Sequence, residues 1–170
     1  MTPTGMEAHK TASRADNHEG KFLTFSLAGE DYGVGILKVK EIIGMMPITP
    51  IPHAPAAVRG VINLRGKVIP VMDMRLQFAM EEAEYNERTC IVVVEIATRN
   101  ATIPTGIVVD SVSEVVNIKG DDITDAPHFG LDVQTDFILG MAKVQGGVKI
   151  LLDIDRVLGA DAIAQLENAA

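Results

Sequence analysis

The sequence predicts an all-β domain, and three observations carry that prediction. Short apolar runs recur along the chain, each ended by a cluster of turn residues, which is the punctuation of strands and tight reversals. Prolines at positions 47, 50, 52 and 55 forbid regular helix across one stretch of the first half. Only the end, Asp155 to Asn168, repeats apolar residues at helical spacing, through Val157, Leu158, Ala162, Ile163 and Leu166, with Gly159 as a break. Many short strands with so little helix argue for barrels or a sandwich rather than a parallel sheet crossed by helices.

In chain order, Met1 to Gly20 are polar, with isolated apolar residues, and read as a flexible tail. Lys21–Leu27 and Tyr32–Val34 read as strands around a turn at Ala28-Gly29-Glu30-Asp31, and Ile36–Ile43 as a short helical turn running into a strand. The proline segment follows, extended. Val61–Arg65 and Val68–Met74 then form a hairpin over Arg65-Gly66-Lys67, with Gly66 where the reversal needs positive φ and Arg65 projecting at a strand end. Pro70 cannot donate to a ladder, so it belongs at an edge or a bulge. Met80–Arg88, with Glu81, Glu82, Glu84 and Glu87, reads as an exposed acidic connection and as the separator of two lobes. Beyond it, Thr89–Ile96, Gly106–Val109, Val112–Ile118, Phe137–Val144 and Val148–Ile154 are further extended segments, the last two joined at Gln145-Gly146-Gly147. No internal repeat is legible.

The 170 residues allow one domain or two small closely packed ones, burying about two-thirds of the unfolded surface without disulfide support. The single cysteine, Cys90, excludes an intramolecular disulfide and favours a reducing compartment. Neither a secretory signal nor a run of roughly 18 apolar residues is present, so the expectation is a cytoplasmic protein without direct membrane insertion. A net charge of −8 with scattered basic residues is poorly matched to nucleic acid or to an anionic membrane surface.

Catalytic and ligand motifs fail one by one. Gly33-Val34-Gly35-Ile36-Leu37-Lys38 begins like a dinucleotide fingerprint, but Lys38 stands in place of the third glycine and no strand–helix–strand unit surrounds it. The Gly60 to Gly66-Lys67 stretch imitates a phosphate loop with the wrong spacing, and Val68 replaces the hydroxyl residue that magnesium needs. His9, His18, His53 and His128 show no close pair, and Cys90 alone completes no zinc site. Asp121, Asp122 and Asp125 lack the glycine and terminal glutamate of a calcium loop. Cys90, among Ile91, Val92, Val93 and Val94, reads as a buried, inert thiol. The expectation is a protein that is not an enzyme and carries no metal or cofactor.

What remains is a binding surface. Arg65 is either a solvated charge at a hairpin tip or a forked donor for a partner's carboxylates or helix end. Val39 and Glu41 are two apart, which on a regular strand puts an apolar contact and a charge on one face; the plainer reading is a core valine and a surface glutamate. Arg59, Asn63 and Asp73 are weaker candidates, since turn chemistry or a strand-end salt bridge would account for them. Met45 and Met46 suit core gaps better than a binding patch.

Three separated segments carry a resemblance: Tyr32-Gly33-Val34-Gly35-Ile36-Leu37-Lys38-Val39-Lys40-Glu41-Ile42, then Val58 to Arg75 with Asn63-Leu64-Arg65-Gly66, then Thr105-Gly106-Ile107-Val108-Val109-Asp110-Ser111-Val112. In that order the chain resembles the CheW family of bacterial chemotaxis coupling proteins, from about Lys21 to Leu158. The resemblance implies two small five-stranded SH3-like β-barrels on a common apolar core over 21–158, and the helical spacing at the end of the chain adds a short C-terminal helix, with 159–170 as a helical tail. It implies a non-catalytic adaptor, in the cytoplasm and recruited to membrane receptor arrays through protein contacts. Its partners would be the cytoplasmic tips of methyl-accepting chemoreceptors and the regulatory domain of the histidine kinase CheA. By the same resemblance Val39, Glu41 and Arg65 contact the receptor, while Gly35 departs from the aspartate often found in that motif. Two alternatives stay open: a stand-alone module of this family serving another receptor–kinase pair, and a small-molecule-binding or hydrolytic β-barrel.

Overall fold

The computed structural model describes residues 19–98, 100–125 and 137–159. The first hairpin pairs β1 (Gly20–Leu27) with β2 (Glu30–Gly35), reversing at Ala28 and Gly29, both at positive φ. A 3₁₀ turn at Ile36–Lys38 feeds β3 (Val39–Gly44), and the proline segment after it bridges to the sheet where Thr49 pairs with Val61 and is held again where the Ala57 carbonyl accepts the Asp73 N–H at 2.8 Å. Then come β4 (Val58–Leu64), β5 (Lys67–Asp73) and the one-turn helix α1 (Met74–Gln77). The second part holds β6 (Cys90–Ala97), β7 (Thr102–Val109), β8 (Ser111–Ile118), a 3₁₀ turn at Gly120–Asp122 and the two-residue β9 (Ile123–Thr124). It closes with β10 (Ile138–Val144), β11 (Gly147–Leu152) and α2 (Ile154–Leu158), capped by Gly159 at φ 64°.

Among the described residues two sheets result, ordered β8-β1-β2-β11-β10-β9 and β3-β6-β7-β5-β4. This is the expected all-β, two-lobed architecture, five strands in one lobe and five plus the short β9 in the other. Among the described residues neither sheet is closed by backbone bonds. In the second lobe a side-chain ion pair from β3 to the β4–β5 turn, Glu41 with Arg65, joins the two outer strands instead.

Among the described residues three apolar clusters form the core. Phe22, Ile118, Ile123, Ala142 and Leu151 fill the first lobe; Ile62, Ile69, Val71, Ile91, Val93 and Val108 fill the second. The largest, with Leu23, Phe25 and Val34 of one sheet and Val92, Val94 and Ile107 of the other, lies between them and takes in Met74 and Ile154 from the two helices. The rings of Phe25, Tyr32, Phe78 and Phe137 follow one another at centroid spacings of 5.9, 5.7 and 5.6 Å. Such rows add to burial through offset ring contacts.

Each lobe mixes the two parts of the chain. β1 and β2 join β8–β11, whereas β6 and β7 join β3–β5, so the chain crosses between lobes at Ile36–Lys38 and again at Asp110. Met80–Arg88 therefore does not separate the lobes; it links α1 to β6 inside the second lobe, because β6 returns to pair with β3.

A repeat is present after all. The bulge that sets Val58 against Met72 and Gly60 against Val71 recurs with Ile138 against Leu152 and Gly140 against Leu151. Both hairpins bond in parallel to the other half, Val71 to Gly106 and Leu151 to Gly33. Asp73 caps α1 as Asp153 caps α2. Val39-Lys40-Glu41-Ile42-Ile43 corresponds to Val112-Ser113-Glu114-Val115-Val116, again with a bulge in the same place. Few identities survive between the halves, so the pattern became visible only through register.

Pro70 sits in β5, interior in sheet order, but ahead of the point at Val71 where β7 joins; on that side it is a local edge, as its missing N–H requires. The extended segment expected through Ile154 stops at Leu152, because Asp153 turns the chain into α2. Of the expected N-terminal tail, residues 1–18 lie outside the described residues and Gly20 already belongs to β1. The expected C-terminal tail lies outside them beyond Gly159.

Candidate partner-binding surface

The β4–β5 hairpin reverses over two residues, Arg65 at φ 52° and Gly66 at φ 87°. This left-handed pair matches the twist of the flanking strands, but it is unusual for an arginine, which carries a Cβ there. Asn63 holds the turn from below, its side-chain oxygen accepting from the Gly66 N–H at 2.8 Å. Arg65 is thereby fixed at the tip, where its Nη2 donates to the Glu41 carboxylate. The Arg65 side chain is 69% exposed and the Glu41 side chain 26%, so the arginine keeps donors free for a second acceptor while the glutamate is half enclosed.

Around the pair, Lys40, Leu64, Lys67, Ile69, Val93 and Pro104 line an open recess of about 190 Å³. Three cations and one anion meet here on a chain of net charge −8. Val68 and Ile42, 59% and 46% exposed, lie on the same lobe but on the strand face opposite the recess. A basic recess with Leu64 and Pro104 in its lining is suited to an acidic partner with some apolar surface.

Val39 is not beside Glu41. The strands pair Val39 with Val94 but Glu41 with Val93, so Lys40 is an extra residue, and the bulge turns the side chains before and after it to opposite faces. Val39 packs on the core between the lobes, whereas Glu41 lies over the second lobe's own interior. The two-residue spacing alone pointed to one shared face, and the bulge overturns it.

Arg59 and Asp73 form a separate network. Arg59 is the extra residue of the β4 bulge, and its Nε and Nη2 both donate to Asp73 Oδ2 at 3.3 Å. Asp73 is buried; its Oδ1 accepts from the Arg75 and Leu76 N–H groups, and Oδ2 also accepts from the Tyr85 hydroxyl at 3.0 Å. Arg59 further reaches Glu82 at 2.5 Å and lies 5.7 Å from the Tyr85 ring centre. Burial, then the Asp73 charge, pushes the Tyr85 hydroxyl up to about 12. These contacts fasten the acidic connection 80–88 to the sheet. Cys90 is half-buried, and burial pushes its thiol up, away from the reactive thiolate.

The structure thus brings Glu41, Arg65 and Asn63 together, places Arg59 and Asp73 elsewhere, and turns Val39 inward. Lys40, Lys67 and Pro104 were missed. The lysines alternate with apolar neighbours as any solvated strand face does, and nothing local marks Pro104, which reaches the recess by pairing with Glu95.

Two β lobes sharing one core, with a small basic recess on an exposed rim, suit a protein-binding module of the adaptor class. The CheW-like domain family model matches residues 21–162, and the chain belongs to that family. It is 37% identical to the chemotaxis protein CheW of Klebsiella aerogenes, over 88% of each chain. It is 33% identical to the chemotaxis protein CheW of Rhizobium meliloti, over 88% of this chain and 94% of the other. The scaffolding protein TtCheW of Thermoanaerobacter tengcongensis has a similar crystal structure, with a TM-score of 0.72 and 34% identity over 82% of this chain and 92% of that one. Membership makes the chain a non-catalytic scaffold of chemotaxis signalling, a role with receptor and kinase partners. Among the described residues no helix is long and apolar enough to cross a membrane.

Proposed function

We propose that the chain couples the cytoplasmic tips of methyl-accepting chemoreceptors to the regulatory domain of a CheA-type kinase, and that the Glu41–Arg65 rim is where the receptor docks. The reading rests above all on one observation: Arg65 is held in a left-handed turn, tied down through Asn63, and still presents an exposed guanidinium beside a locally basic recess. A helical hairpin with acidic residues at its tip would gain forked bonds from Arg65 and apolar contact from Leu64 and Pro104, which line the recess. Glu41 orients the arginine. Val39 supports the rim from within, since it packs on the shared core. An affinity in the micromolar range, about −8 kcal/mol, would suit an adjustable assembly. Residues 21–158 would form the coupling module, carried to the membrane by its partners. The role is tested by kinase autophosphorylation with receptors present, with and without this protein. Coupling requires a changed rate on addition; an unchanged rate contradicts it.

A further inference from the structure

Two ion pairs sit in equivalent places where the halves of the chain interlock. Arg75 of α1 donates through Nε and Nη2 to the two carboxylate oxygens of Asp110, at 2.8 and 2.6 Å, at the crossover between β7 and β8. Asp110 also accepts the Ala28 N–H, at the end of β1, at 2.8 Å. In the other half, Asp155 of α2 takes Lys38 Nζ at 3.0 Å, at the crossover between β2 and β3, and accepts the Ala97 N–H, at the end of β6, at 2.8 Å. Each pair joins the helix of one half to the crossover of the other, and in each the acid also takes an amide from a hairpin end. Their polarity is opposite: cation on the helix in the first, anion on the helix in the second.

We propose that this reversed polarity is a pairing code that lets the first half close only on the second, and bars two copies of the chain from closing like half on like half. Like-half pairing would set Arg75 against Lys38 and Asp155 against Asp110, to within one residue of their present partners. A single chain does not reach that arrangement. To return a hairpin to its own half, the three-residue crossover at Ile36–Lys38 would have to run back along a strand the length of β3, about 20 Å, and three residues span only about 10 Å. The competitor is therefore a second copy, whose halves offer the same edges and the same shared core, the usual route to exchanged dimers. The four side chains are 20–33% exposed, enclosed enough for the sign of a neighbour to matter. Ion pairs that served stability alone would have no need to differ in direction. Reversed polarity is the arrangement that discriminates.

The test is refolding from denaturant over a range of chain concentrations, with species masses read by sedimentation. Arg75→Asp together with Asp110→Arg keeps an attractive pair but gives both latches the same direction, so like halves are no longer repelled. The two-chain fraction is then expected to rise at least about tenfold over the natural sequence. Adding Lys38→Asp and Asp155→Arg restores opposite directions and is expected to return the two-chain fraction of the natural sequence. The reciprocal double variant, Lys38→Asp with Asp155→Lys, makes the same prediction through the other latch if the first fails to fold. A double variant with the natural two-chain fraction, or a fourfold variant behaving like the double, overturns the proposal.

Discussion

Asp73→Ala separates what builds the fold from what binds a partner. Asp73 is 2% exposed, caps α1 with one oxygen and holds Arg59 and Tyr85 with the other. Losing the cap costs about 1 kcal/mol. Losing a charged acceptor for two donors costs about 1.5–3 kcal/mol, toward the low end here because Arg59 keeps Glu82. The sum is about 3 kcal/mol, which for a chain of this size lowers the melting temperature by roughly 6–12 °C. Asp73→Asn keeps the capping oxygen and turns a donor toward Arg59 and Tyr85, so it should fall between the parent and the alanine variant. The assay is thermal unfolding followed by circular dichroism, alongside binding of a receptor-tip fragment at a temperature where both proteins are folded. Melting within about 2 °C of the parent would refute the network argument. Weaker receptor binding by the fully folded variant would refute the separation of this network from the rim.

Other perturbations follow from the same geometry. Gly60 has φ +143°, and an added Cβ would lie 2.0 Å from the Thr49 carbonyl oxygen; Gly60→Ala should cost at least about 3 kcal/mol and leave little folded protein in a urea titration. Arg75 holds the Asp110 carboxyl below its ordinary range through a hydrogen bond, against the opposing effect of burial, and the Lys149 hydrogen bond does the same for Asp31. Their folded values lie below the unfolded ones, so their stabilisation is present above about pH 4 and lost as pH falls through and below it; Asp110→Asn should flatten part of that loss in acid unfolding. Val39→Ala is expected to act through the core, lowering stability by about 1 kcal/mol or more, with binding of the folded fraction nearly intact in a pull-down.

Much of this fold was legible from local chemistry. The turns at Ala28-Gly29, Arg65-Gly66 and Gln145-Gly146 lie where small or polar residues interrupt apolar runs, and the helical turn at Ile36 followed by a strand was readable from spacing. What spacing could not show was non-local. The exchange of hairpins between halves depends on which strands meet in parallel, Val71 with Gly106 and Leu151 with Gly33, and no local pattern encodes that choice. The acidic run at 81–87 resembles a linker between lobes, yet Glu82 and Tyr85 are tied down by Arg59, a residue more than twenty positions earlier. The same limit applies at the rim. Arg65 was visible as a charge at a reversal, but its pairing with Glu41 and the bulge at Lys40 that turns Val39 inward arise from register with β6.

In the proposed function Arg65 faces a partner and does more than satisfy Glu41. The most direct measurement is the affinity of a receptor-tip fragment for the charge-exchanged variant Arg65→Glu with Glu41→Arg, with melting recorded in parallel. Docking at this rim predicts unchanged melting and binding weakened at least about tenfold, because the internal pair is restored while the outward charge is reversed. Binding at the parent level would contradict it and leave the pair a purely internal clasp.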